Sequence, residues 1–175
     1  IILQGPPGTG KTRLAKEIAI QLTTGDNKEV SSEKVSKFLK EFSLNEEAEK
    51  LRAKRSNLLE TFALMFPKET LAKINLQNYC IGTGSNDSFC WWIERGLKPL
   101  GYYFPGSSKS YLIYRDKSKN EYSRHGKLMN GVETDQDGMY KVATVLSDVV
   151  QNGKFEEANQ SFGESFLLKI VHSYF

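Results

Sequence analysis

Cysteine is scarce in this chain of 175 residues, which carries two, Cys80 and Cys90. They form no C-x-x-C pair and have no ligand set beside them, which disfavours a zinc site or a disulfide framework. Two buried free thiols in a cytoplasmic protein are expected instead. The two histidines, His125 and His172, stand alone without ligand spacing, so no metal is expected on them. No apolar run approaches the length of a bilayer span, and no membrane partner is expected. There is no internal repeat and no low-complexity tract. A large excess of either charge is lacking too: 24 Lys and Arg stand against 21 Asp and Glu, and the formal net charge of +3 is compatible with nucleic acid but far from requiring it. Hydrophobic residues at 39% and charged residues at 26% are an ordinary globular mixture, enough for the core of one domain or two small ones.

Against these absences stands the run Gly5-Pro6-Pro7-Gly8-Thr9-Gly10-Lys11-Thr12. It fits G-x-x-x-x-G-K-[ST], the loop that cradles a nucleoside triphosphate. Ile1-Ile2-Leu3 ahead of it reads as a buried strand. Leu14, Ile18 and Leu22 behind it recur at helical spacing, with Ala15 and Ala19 alongside. Glycines let successive N–H groups turn into one concavity, and the helix mouth adds unpaired donors and the positive end of its dipole. Lys11 is expected to reach the β- and γ-phosphates, and the Thr12 hydroxyl to ligate Mg²⁺. The expected nucleotide set is Gly5, Pro6, Pro7, Gly8, Thr9, Gly10, Lys11, Thr12 and Arg13. Arg13 suits a place on the helix surface better than the role of an arginine finger.

Other parts of such an enzyme are missing. An apolar strand ending in Asp or Asp-Glu, which would hold the Mg²⁺ shell and orient water, is not found. Val142–Asp148 comes nearest, but its spacing fits an amphipathic helix better than a strand ending in a metal-site acid. No parallel partner for Ile1–Leu3 is legible between Asp26 and Tyr79. The chain opens inside a core strand and closes inside an apolar pattern, so it is expected to be a fragment of a longer protein. On its own it is expected to bind nucleotide weakly and hydrolyse none.

Along the chain, Thr23–Asn27 is a turn-rich break, and Ser31 or Ser32 can cap a helix bearing Val35, Phe38, Leu39 and Phe42. Ser43-Leu44-Asn45-Glu46 matches a capping box. Its helix should bury Ala48, Leu51, Leu58, Leu59 and Phe62, carry a solvated charged face, and end near Pro67. Leu71, Ile74, Leu76 and Tyr79 suggest one more short helical stretch. Phe89–Ile93 and Ser110–Tyr114 read as strands from their aromatic and β-branched content. From Gly138 a helix presents Val142, Val145, Leu146 and Val149 and breaks at Gly153. Another follows with Phe162, Phe166, Leu167, Ile170, Val171 and Tyr174. The expected fold is an α/β P-loop NTPase fragment over 1–25, a helical segment over 26–79, and a small α+β module over 80–175.

The opening Ile1–Thr12 resembles the start of the AAA+ NTPase domain in McrB-type subunits of modification-dependent restriction systems. Phe89-Cys90-Trp91-Trp92-Ile93-Glu94, with Gly106-Ser107-Ser108 and Leu112-Ile113-Tyr114, is similar to an accessory module of bacterial McrB-like proteins. The resemblance implies a ring-forming, homo-oligomeric NTPase that uses ATP or GTP with Mg²⁺. It also implies a nuclease subunit and DNA as partners, here by recognition of modified (5-methylcytosine) DNA. Only Gly5, Gly8, Gly10, Lys11 and Thr12 carry over as site residues. The module after the P-loop would then be an insertion into the NTPase core.

That module crowds Phe89, Trp91, Trp92, Tyr102, Tyr103, Phe104, Tyr111 and Tyr114 among Arg95, Lys98, Lys109, Arg115 and Lys117. Two readings compete: rings that build a small core or a protein-binding scaffold, and rings that stack on bases while cations hold phosphates. As adjacent strand positions, Trp91 and Trp92 would face opposite ways. Gly82-Thr83-Gly84 is too short to be a dinucleotide fingerprint and reads as a loop.

Overall fold

The computed structural model describes residues 15, 19, 20, 36, 37, 46–84 and 86–175. The chain divides into two units, Ile1–Arg55 and Ser56–Phe175. Ala15, Ala19, Ile20, Ser36 and Lys37 are helical, within the two stretches where apolar spacing places helices. The expected strand Ile1–Leu3, the expected nucleotide set from Gly5 to Arg13 and the expected capping residues Ser43–Asn45 lie outside the described residues.

Helix α1, Glu46–Met65, opens with Glu46, Glu47 and Glu49 near its positive end. Its charged face is laced as expected, Lys50 to Glu46 at 2.6 Å and Arg52 to Glu49 at 4.0 Å. Burial is confined to its C-terminal half: Phe62 is buried and Leu58 and Leu59 pack beside the core, whereas Leu51 is exposed. Pro67, extended at φ −60°, ends the run and starts a 3₁₀ turn over Lys68–Lys73. Helix α2, Leu76–Tyr79, follows an extended Ile74–Asn75, with the Asn75 side chain accepting from Asn78 N–H at 2.9 Å. The one short helical stretch foreseen here is therefore two.

Phe89–Ile93 is not a strand. Ser88 caps helix α3, Phe89–Trp91, which runs on into a single π turn over Trp92–Gly96. The turn is closed by Leu97 N–H donating to the Trp92 carbonyl at 2.8 Å. Burial explains the preference: Phe89, Cys90, Ile93 and Leu97 are all fully buried, a helical period that outweighs the β-propensity of aromatics. Trp91 and Trp92 accordingly do not face opposite ways. Both are half-buried, with their rings 6.0 Å apart and edge to face.

The second expected strand is also shifted. Ser108–Tyr111 forms a 3₁₀ turn, and β1 covers only Ile113–Asp116. It pairs antiparallel with β2, Glu121–Arg124, with Ile113 opposite Arg124 and Asp116 opposite Glu121. Between turn and strand, Leu112 holds φ 66°, an outlier for a bulky residue.

Helix α4, Asp135–Asn152, starts at a Thr134 cap that accepts from Asp137 N–H at 3.1 Å and donates to the Asp137 carboxylate at 2.6 Å. It buries Val142, Val145, Leu146 and Val149 and ends at left-handed Gly153, φ 65°, as the sequence foretells. Helices α5, Phe155–Ser161, and α6, Glu164–Tyr174, complete the unit. The core is continuous from Phe62 to Ile170. Phe62 meets Phe66 at 5.3 Å, Phe89 at 5.6 Å and Tyr174 at 5.3 Å. Residues 58–79 share one core with the aromatic module, within the unit Ser56–Phe175. Among the described residues no helix is long and apolar enough to cross a membrane.

Candidate functional site

An open cleft of about 540 Å³ lies in the second unit, within the size range of small-ligand pockets. Its floor comes from the π turn. Ile93 points into the core, while Glu94, only 18% exposed, lines the cleft. The buried Tyr111 hydroxyl donates to Glu94 Oε2 at 2.6 Å, and Arg95 Nε approaches Oε1 at 3.3 Å. Tyr111 is itself anchored, its ring edge-on to Phe166 at 5.2 Å and its carbonyl accepting from the Tyr79 hydroxyl at 2.9 Å. Burial, reinforced by the bond to Glu94, pushes the Tyr111 phenol far above its ordinary range, so it remains a donor. The strained Leu112 directly follows it.

One wall is the loop Ile81–Gly84. The Ile81 carbonyl accepts from Arg115 N–H at 3.1 Å, which ties the loop to β1. Gly82 has φ +94°, and a Cβ there would lie 2.6 Å from the Arg115 carbonyl oxygen, so only glycine fits. Phe104 also lines the cleft, 70% exposed and parallel to the Tyr102 ring at 6.4 Å with 7° between the planes. Trp91 and Tyr114 add half-buried rings.

Cations outnumber acids around the opening: Arg95, Arg115 and Lys117 against Glu94 and Asp116. Asp116 is occupied, because Ser118 donates its hydroxyl at 2.6 Å and its N–H at 2.9 Å to Oδ1. The hydroxyl bond chiefly holds this carboxyl below its usual value. Arg115 donates to Asn120 Oδ1 at 2.7 Å and lies over the Tyr122 ring at 4.9 Å. Lys117 is exposed and makes no ion pair among the described residues.

The two readings of the aromatic region thus divide by residue. Phe89, Tyr103 and Tyr111 are core, whereas Tyr102 and Phe104 are exposed. Gly82-Thr83-Gly84 is a loop as expected, and it walls the cleft. Cys80 and Cys90 are free and buried, and burial raises both thiols well above their ordinary range. Asp148 lies on α4, its carboxylate taken by Asn152 at 2.8 Å and Lys154 at 3.3 Å. No group of three metal-ligating side chains occurs among the described residues, and His125 is exposed. The Glu94–Tyr111 pair was not singled out from the sequence, because residues 17 apart meet only through the fold.

Residues 1–68 match the family model for AAA, the ATPase family associated with various cellular activities. The match supports an AAA-type ATPase and so nucleotide binding. It also implies a nucleotide ligand, typically with Mg²⁺, and suggests an oligomeric assembly. No curated protein and no solved structure matches the chain.

Proposed function

We propose that this chain supplies the triphosphate-binding segment of a Mg²⁺-dependent NTPase, using ATP or GTP, and that it works in a ring of like subunits. The reading is carried by Gly5–Thr12, which satisfies the phosphate-loop pattern inside the segment that matches the AAA family. Lys11 would neutralise β- and γ-phosphate charge, and Thr12 would hold the metal. Gly5, Pro6, Pro7, Gly8, Thr9, Gly10 and Arg13 would complete the nucleotide set. The second acid and the arginine finger would come from outside these 175 residues. The resemblance to McrB-type subunits supports a role in a DNA restriction system beside a nuclease subunit, with residues 56–175 as a module attached to the motor.

The test is hydrolysis by the intact protein. Turnover should require Mg²⁺ and fall at least about 100-fold in Lys11→Ala, since removing a transition-state cation costs several kcal/mol. Undiminished hydrolysis in Lys11→Ala would remove the assignment.

A further inference from the structure

The cleft of the second unit joins three features that the phosphate loop does not use. The first is a carboxylate fixed as an acceptor. Glu94 receives the Tyr111 hydroxyl from the core side and Arg95 from the rim, which sets the carboxylate plane before any ligand arrives. Each oxygen keeps a lone pair for a further donor. The second is a stacking surface. Phe104 and Tyr102 are exposed and already parallel, leaving aromatic area open to a planar ring, with Trp91 on the same cleft. The third is positive charge among the lining residues, from Lys117 above all, with Arg95 and Arg115 beside it.

From this juxtaposition we infer that the cleft binds one unpaired nucleotide, its base stacked on Phe104 and hydrogen-bonded to Glu94, its phosphate held at Lys117. A carboxylate accepts and cannot donate, so it selects among bases. Guanine offers adjacent imino and amino donors that match both oxygens. Cytosine and adenine offer an amino group, and thymine or uracil offers one imino donor between two repelling carbonyls. Guanine is therefore the preferred base. The volume of about 540 Å³ accommodates one base and its sugar. The nucleotide can be free or part of a single strand, and the chemistry in the cleft is the same for both.

The experiment uses the 175-residue chain with Lys11→Ala in the background, so that the phosphate loop does not contribute and its failure cannot be mistaken for failure here. Binding is measured by calorimetry for GMP and UMP, and for the pentanucleotides TTGTT and TTTTT. At least one guanine probe should bind about tenfold or more tightly than its pyrimidine counterpart. Tighter binding of TTGTT than of GMP identifies a strand as the source, and the reverse identifies a free nucleotide. Glu94→Gln should bring the guanine and pyrimidine affinities to within about twofold. Lys117→Ala should weaken both and lower the salt slope by about one for the strand. The inference is overturned if all four probes bind only at millimolar concentrations or worse, if guanine and pyrimidine probes bind alike, or if Glu94→Gln leaves the preference intact.

Discussion

At the scale of single residues, the chain's chemistry separates into groups kept reactive and groups kept inert. Cys80 and Cys90 belong to the second kind, enclosed by core side chains and raised by burial away from thiolate. Neither should react with a thiol reagent under native conditions, and both should react once denaturant is added. Rapid native labelling of either would contradict their placement. Tyr111 is also protected, yet its hydroxyl reaches out of the core to hold Glu94. Tyr111→Phe removes a charge-assisted hydrogen bond and should cost about 1.5–3 kcal/mol in thermal or denaturant unfolding. Little of this pair was legible in advance. Glu94 reads as one charge among many, and its role depends on a residue brought in by a later turn. The phosphate loop is the opposite case, because its chemistry is local and contiguous, so the string Gly5–Thr12 announces it without a fold.

At the scale of elements, the helices of the second unit were legible wherever a long stripe carried the period. Val142, Val145, Leu146 and Val149 predict α4 to its Gly153 stop. The segment around Phe89 was misread because two signals conflict there. Its composition favours a strand, but Phe89, Ile93 and Leu97 recur every four residues, and burial follows that recurrence. The π turn that results turns Glu94 toward the cleft and is held by a distant group. The buried Lys169 on α6 donates to the Leu97 carbonyl at 2.9 Å and the Gly101 carbonyl at 2.7 Å. Lys169→Met keeps the stem but deletes both bonds and leaves two carbonyls short of a donor. It should destabilise the protein by about 2–4 kcal/mol, read as a lowered denaturant midpoint. An unchanged midpoint would show that the clamp contributes nothing. The loop Ile81–Gly84 has its own single point of failure. Gly82→Ala places a methyl against the Arg115 carbonyl at a positive φ, and should cost about 1–3 kcal/mol.

At the scale of the whole molecule, the buried phenols and thiols act together. Tyr79, Tyr103, Tyr111 and Tyr174, with Cys80 and Cys90, are all raised, in each case first by burial. The folded state therefore keeps protons that the unfolded chain releases. Stability from these groups is complete below the ordinary thiol and phenol values, and it is lost as pH rises beyond about 9–10. Alkaline titration should show part of the phenolate absorbance appearing together with loss of helical ellipticity. Smooth ionisation of every tyrosine in a folded protein would contradict the burial. The two units also differ in what the sequence disclosed. The first is defined by a motif and a family match, and the second by packing that no short pattern encodes.

The most direct measurement is an equilibrium titration of the 175-residue chain with a fluorescent triphosphate in Mg²⁺, beside Lys11→Ala, with ATP, GTP and AMP as competitors. Binding should be displaced by either triphosphate but not by AMP, and should weaken at least about tenfold in Lys11→Ala. Equal affinity in the two proteins, or displacement by AMP as effective as by ATP, would contradict a triphosphate site at Gly5–Thr12.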